Sequence, residues 1–153
     1  MKATYRALAY LVPVLVALQA TFIALGVFGL GAWVENGNDF TKSVLESDSS
    51  SVTGGIGFAL HNVGAMALAL VGLLLLVLSF FAKIPGGVKW AALVLVDVIV
   101  QWVLAFVSFG AWAVGALHGL NAFLLFGLGM MAAEAATRSM RTSGAPARSG
   151  QPV

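Results

Sequence analysis

Residues 56–82 read IGFALHNVGAMALALVGLLLLVLSFFA, a run of 27 residues in which His61 is the single ionisable side chain. About 20 apolar residues suffice for a helix to cross the hydrocarbon of a bilayer, so this stretch reads as a membrane span. Three more of similar character surround it, at about 7–34, 90–109 and 111–133. The composition agrees: 60% of the 153 residues are hydrophobic and 9% charged, where soluble domains carry about a quarter charged. A water-soluble globule is excluded. The expected fold is all-α, an integral membrane four-helix bundle forming one domain over residues 1–141, with residues 142–153 as a tail.

The first span begins on the basic residues Lys2 and Arg6, as a secretory signal does. Its apolar run is about twice the 7 to 15 residues of a signal core, so it reads as a retained helix. The chain has no cysteine, which removes disulfides, thiolate metal sites, Fe–S clusters and CxxCH haem attachment together. Lys2, Arg6, Lys83, Lys89, Arg138, Arg141 and Arg148 fall at the two termini and in the 83–89 turn. An even number of crossings puts all of these on one side, which the positive-inside rule makes cytoplasmic. The expected location is therefore the inner (plasma) membrane, multi-pass, with both termini inside. Glu35 to Gly55, holding Glu35, Asp39, Glu46 and Asp48 against Lys42 alone, is then the outer loop. Pro85-Gly86-Gly87 and the connection around Phe109-Gly110-Ala111 are tight turns, which makes the last three helices antiparallel neighbours. From Thr142 onward the chain holds Ser, Gly, Pro and Arg and almost no bulky apolar side chain, a composition expected to be disordered.

His61 and His118 are the two histidines of the chain, and both sit in one phrase: Leu60-His61-Asn62-Val63-Gly64-Ala65 and Leu117-His118-Gly119-Leu120-Asn121-Ala122. The helix before each carries matching marks. The first has Gln19, Val27-Phe28-Gly29 and Gly31-Ala32-Trp33; the third has Gln101 and Ser108-Phe109-Gly110-Ala111-Trp112. The chain thus reads as two copies of one helical hairpin, related by an axis along the bilayer normal, as in parallel-repeat transporters. Counting rise per residue, His61 lies roughly 8 Å below Ile56 and His118 roughly 9 Å below Trp112. The rings share a depth near the outer leaflet, and an iron with two axial imidazoles fits on the axis between them.

Small or short residues one turn away on the same helix faces leave room for a flat macrocycle: Gly57, Gly64 and Ala65 around His61, and Gly115, Asn121 and Ala122 around His118. The same residues suit plain close packing of membrane helices. A cofactor-free alternative stands beside the haem reading, in which each histidine is a hydrogen-bonding rivet between helices. Zinc or copper fits less well, because no further histidine, thiolate or nearby carboxylate lies at that depth to complete the shell.

Asp97 is the one acid deep within a span, with Gln101 one turn above it. The two, with the repeat-related Gln19, could relay protons or hold a quinone head group. The favoured reading is structural, with Asp97 bonded to Gln19 or Tyr10 of the first helix. It lies roughly 10 Å in from Trp90, well away from the proposed haem. Trp33, Trp90 and Trp112 fall at helix ends, as interfacial aromatic belts do. Met66, Met130 and Met131 read as core, and no phosphate loop, catalytic triad or zinc signature is present.

With these two histidine phrases, Asp39-Phe40 in the outer loop and the closing LHGLNAFLLFGLG, the chain resembles over roughly residues 5–135 a family of small four-helix actinobacterial membrane proteins. That resemblance implies topology and the paired histidines, not a reaction. More distantly the arrangement is similar to four-helix b-type cytochromes of the cytochrome b561 group, although this chain has ligands for one haem where those often hold two. The expectation is one non-covalent haem b on His61 and His118, exchanging single electrons with a quinone or an extracytoplasmic redox partner. The alternative is a cofactor-free structural or assembly subunit. The bilayer is the expected environment, with a homo-oligomer or larger membrane complex allowed and nucleic acid not expected.

Overall fold

The computed structural model describes residues 1–46 and 51–144. It contains four long helices, α1 (Lys2–Glu35), α3 (Gly55–Ala82), α4 (Gly87–Ser108) and α5 (Val114–Gly144), and a short α2 (Lys42–Glu46); no strand occurs among the described residues. The shortest long helix, α4, has 22 residues, roughly 33 Å at 1.5 Å per residue, against a hydrocarbon layer of about 30 Å. Each of the four is long and apolar enough to cross a membrane. Their outward faces carry bulky apolar side chains such as Phe28, Phe80, Phe106 and Phe123, the last 78% exposed. A helix apolar all round needs either a protein core or lipid about it, and here the bundle supplies no covering protein.

The helices pack in the cyclic order α1, α3, α4, α5, each touching the next, so α3 and α5 face one another across the bundle. Lys2 Nζ bonds Ser143 Oγ at 2.9 Å, which ties the start of α1 to the end of α5. Both termini therefore share one end, called here the terminal end, and the 36–54 segment and the 109–113 turn form the loop end. The turns rest on residues that accept left-handed backbone: Gly86 (φ 72°) starts α4 and Gly54 (φ 75°) starts α3. Lys83 (φ 51°), the C-cap of α3, takes the same conformation without being glycine.

Several spans differ from expectation. α1 begins at Lys2 and α4 at Gly87, because amphipathic residues beyond the apolar run continue the hydrogen-bonded ladder. The fourth span starts at Val114 instead of 111, since residues 109–113 form the turn. It runs on to Gly144, past 133 and into the expected tail. Its extension opens with Glu134-Ala135-Ala136 and carries Arg138, Met140 and Arg141, residues that favour helix. Ala132, Ala133 and Ala136 are fully buried, and Glu134 pairs with Arg138 one turn on at 3.4 Å. The rest of the expected tail, 145–153, and Ser47, Asp48, Ser49 and Ser50 of the loop lie outside the described residues.

Packing divides the bundle into two halves. At the terminal end Tyr5, Ala9, Val12, Leu75, Ala91 and Val94 are completely buried, and Tyr5 Oη donates to Gly87 O at 2.8 Å. Toward the loop end the cores of the helices separate. There α1 and α3 stay together through glycines: a Cβ on Gly57 would stand 2.5 Å from Phe22 O and 2.9 Å from Gly26 Cα, and one on Gly29 2.5 Å from Gly54 Cα. Small residues that let backbones approach are the usual means of holding helices in lipid.

Candidate functional site

A cavity of about 720 Å³ fills the loop-end half. Its floor is the edge of the packed core, Val16, Leu68 and Leu125, and its roof includes Phe40, Val44 and Phe109. The volume lies within the roughly 300–1,000 Å³ of cofactor and ligand pockets, and like them the walls are mainly apolar with a few convergent polar groups. Those groups are His61, His118, Gln19, Gln101, Asn62 and Ser108.

His61 reaches the cavity from the second turn of α3, and His118 from the second turn of α5. Because α3 and α5 stand opposite, the rings converge: their centroids are 6.4 Å apart and their planes 66° to one another. Each ring is fixed the same way. His61 Nδ1 lies 3.1 Å from Gln19 O on α1, and His118 Nδ1 lies 3.0 Å from Gln101 O on α4. A backbone carbonyl only accepts, and its second lone pair remains free when the first serves the helix, so Nδ1 must be the protonated donor in both rings. A neutral imidazole then has an unprotonated Nε2. Nδ1–H on a carbonyl with a bare Nε2 is the form in which histidine binds metals, with the carbonyl orienting the ring.

The surroundings of the two rings differ. On the α4–α5 side Gln101 Nε2 donates to His118 O at 3.0 Å and passes 3.5 Å from His118 Nε2, at the outer limit of a hydrogen bond. Gln101 Oε1 accepts from Asn121 Nδ2 at 2.8 Å, and the same nitrogen is 3.5 Å from Asp97 O. On the α1–α3 side the residue that matches Asn121 in the histidine phrase is Gly64, which offers no hydrogen bond. Gln19 Nε2 lies against that glycine, and neither Gln19 Nε2 nor Oε1 has a partner although both are buried.

The residues expected around a macrocycle separate into two groups. Ala65, Gly115 and Ala122 line the cavity. Gly57 and Gly64 do not: Gly57 faces the backbone of α1, and Gly64 faces Gln19. Asn121 is a hydrogen-bonding hub, not a spacer. The structural reading of Asp97 is corrected in its partners, since Tyr10 is turned outward, 43% exposed, and the Gln19 amide is unbonded. The polar neighbour of the Asp97 carboxyl is Asn121 of α5. Asp97 does not line the cavity, but Asn121 and Gln101 bridge its main chain to that of His118. Gln19 belongs with His61 instead, and the three residues do not form one cluster. Among the described residues no third His, Asp or Glu groups with the histidines as a metal-ligand set.

The roof and the two carbonyls were not among the sequence candidates. Phe40 and Val44 are apolar residues in an otherwise acidic loop, a signal that was available. Comparison with protein-family models, with curated proteins and with solved structures gave no match.

Proposed function

We propose that this chain is a membrane-embedded b-type haem protein that binds one non-covalent haem between His61 and His118 and carries single electrons. The observation that supports it is the pairing of two Nδ1-anchored imidazoles across one cavity at 6.4 Å between ring centres. With about 2 Å from a metal to a histidine nitrogen and about 1 Å more to the ring centre on each side, two imidazoles that shared one metal ion would have centres about 6 Å apart. The apolar walls suit a porphyrin, and the unpaired buried amide of Gln19 offers a donor and an acceptor to a polar edge of whatever fills the cavity. His61 and His118 would hold the haem, which would supply a one-electron couple there.

The chain's residues supply position and solvent exclusion. The carbonyls of Gln19 and Gln101 set the ring orientations, the packed core below the cavity separates it from the terminal end, and Phe40 and Val44 cover it. By the placement of basic residues the terminal end is cytoplasmic in the plasma membrane, which puts the haem near the outer leaflet. Its redox partner is then a membrane quinone or a small extracytoplasmic oxidant or reductant.

The same two bonds also favour a second reading. His61 links α3 to α1 and His118 links α5 to α4, so each is a rivet in its own right, and a cofactor-free subunit of a membrane complex would use them so. Absorption spectroscopy separates the two. Protein expressed with ample haem and purified in detergent is expected to be red, with a Soret band and sharp α and β bands on reduction. His61→Ala and His118→Ala should each remove the low-spin spectrum. A colourless wild-type protein refutes the haem reading in favour of the rivet.

A further inference from the structure

Asp97 is buried, 6% exposed, and stands ten residues into α4, roughly 15 Å along the helix and so near the middle of a hydrocarbon layer of about 30 Å. Its Oδ2 has no hydrogen-bond partner. A carboxylate at that depth with an unmet oxygen is costly as a permanent anion, and acids in such places mark proton pathways. Its polar connections run one way. Asn121 Nδ2 stands 3.5 Å from the main-chain O of Asp97 and donates to Gln101 Oε1, and Gln101 donates to the main-chain O of His118 and lines the cavity. Toward the terminal end the core is Val94, Leu75, Ala91 and Val12, and the Ser79 hydroxyl there is turned back onto Leu76 O.

We propose that Asp97 is the group that takes up a proton when the site accepts an electron, the proton reaching it from the cavity side. This rests on the haem reading. Were a haem held by His61 and His118, it would supply a one-electron couple filled by an external one-electron reductant, and Asp97 would take up one proton from the bulk solvent, forming one O–H bond on its carboxylate. The cause is charge: an electron added in a medium of low dielectric raises the proton affinity of a nearby carboxylate, and by linkage the proton raises the electron affinity by the same factor. The helices packed on α4 bring few competing groups. α3 contributes His61, and α5 contributes His118 beside the cavity with Glu134, Arg138 and Arg141 at the far end, where Glu134 and Arg138 pair with each other. On α4 itself, Lys89 lies over Trp90 at the terminal end.

The test is a redox titration of the purified haem protein at several pH values, read at the Soret and α bands, for wild type and Asp97→Asn. The wild-type midpoint potential should fall as pH rises, by up to about 59 mV per pH unit for one proton per electron. Asp97→Asn should keep the spectrum and lose the slope. Infrared difference spectra of the wild type should show a protonated carboxyl band on reduction that shifts in D₂O; if Asp97→Asn does not fold, this measurement decides alone. With the haem spectrum intact, a flat wild-type potential, a slope that survives Asp97→Asn, or no carboxyl band overturns the proposal and leaves the haem reading standing. A protein that binds no haem overturns both.

Discussion

Replacing Gly57 by alanine adds one methyl group that touches no cavity atom, yet it is expected to loosen the site. The new Cβ would lie 2.5 Å from Phe22 O and 2.9 Å from Gly26 Cα, where comfortable contacts begin at about 3.5 Å. Both neighbours are backbone, so neither yields by a rotamer change, and α1 and α3 must part by about 1 Å. His61 is one turn further along α3, and its bond to Gln19 O, 3.1 Å long, spans the same two helices. Stretched to about 4 Å it ceases to be a hydrogen bond. Overpacking of this kind costs about 1–3 kcal/mol, and the lost bond about 0.5–1.5 kcal/mol more. A total of about 1.5–4.5 kcal/mol lowers the folding equilibrium roughly 10- to 1,600-fold. Haem affinity should fall about 10- to 100-fold, as when the partner orienting a metal ligand is lost. Denaturation of the apo-protein in detergent and titration with haem measure the two effects. Gly127→Ala, whose Cβ would meet nothing within 4 Å, is the control. An apo-protein of wild-type stability that binds haem poorly would show that Gly57 makes room for the macrocycle after all, and unchanged behaviour in both assays would refute the reasoning altogether.

The two glutamines should respond oppositely to removal of their amides in the apo-protein. Gln101→Leu strips Asn121 of its acceptor and should destabilise by about 1–3 kcal/mol, whereas Gln19→Leu removes buried groups that have no partner and should be neutral or stabilising. Denaturant midpoints in detergent compare them, and equal losses would contradict the asymmetry. For topology, Ser43→Cys at the loop end should react with an impermeant thiol reagent on intact cells and Ser143→Cys only after lysis. The reverse pattern would move the site to the cytoplasmic leaflet.

The number of long helices was legible because an apolar run of twenty or more residues permits little else, and the histidines were legible because an ionisable ring inside such a run is rare. Counting 1.5 Å per residue put both rings at one depth, and in the structure they stand 6.4 Å apart. What orients them was hidden, since the acceptors are the main-chain carbonyls of Gln19 and Gln101 and a carbonyl carries no mark in the sequence. Glycine was ambiguous for a related reason. Gly57 and Gly115 both lie one turn before a histidine, but which faces a neighbouring backbone and which faces the cavity depends on how each helix is rotated against its partner, information held by α1 and not by the phrase. The last turns of α5 carry Glu134, Arg138 and Arg141, so hydropathy ends the apolar span at 133, while buried Ala135 and Ala136 continue the helix and its core beyond it.

The two histidine rings are anchored alike in unmatched surroundings, and under the proposed haem reading that asymmetry assigns different jobs to the two helix pairs. Around His61 the support is backbone approach: Gly26 and Gly29 against Gly57 and Gly54 fix where α3 can stand, with Gln19 O as the polar contact of the ring among the described residues. Such contacts are stiff and have no intermediate setting, so changes there should break the site or leave it alone. Around His118 the support is a chain of side-chain hydrogen bonds from Gln101 through Asn121 to the neighbourhood of Asp97. Hydrogen bonds to a ring's surroundings tune its basicity by degrees, and a chain that passes beside a buried acid can respond to its protonation. The α1–α3 hairpin therefore sets the position of one ring, and the α4–α5 hairpin adjusts the properties of the other. Substitutions at Gly57 should appear mainly as lost binding, and those at Asn121 or Asp97 mainly as a shifted potential in a site that still binds.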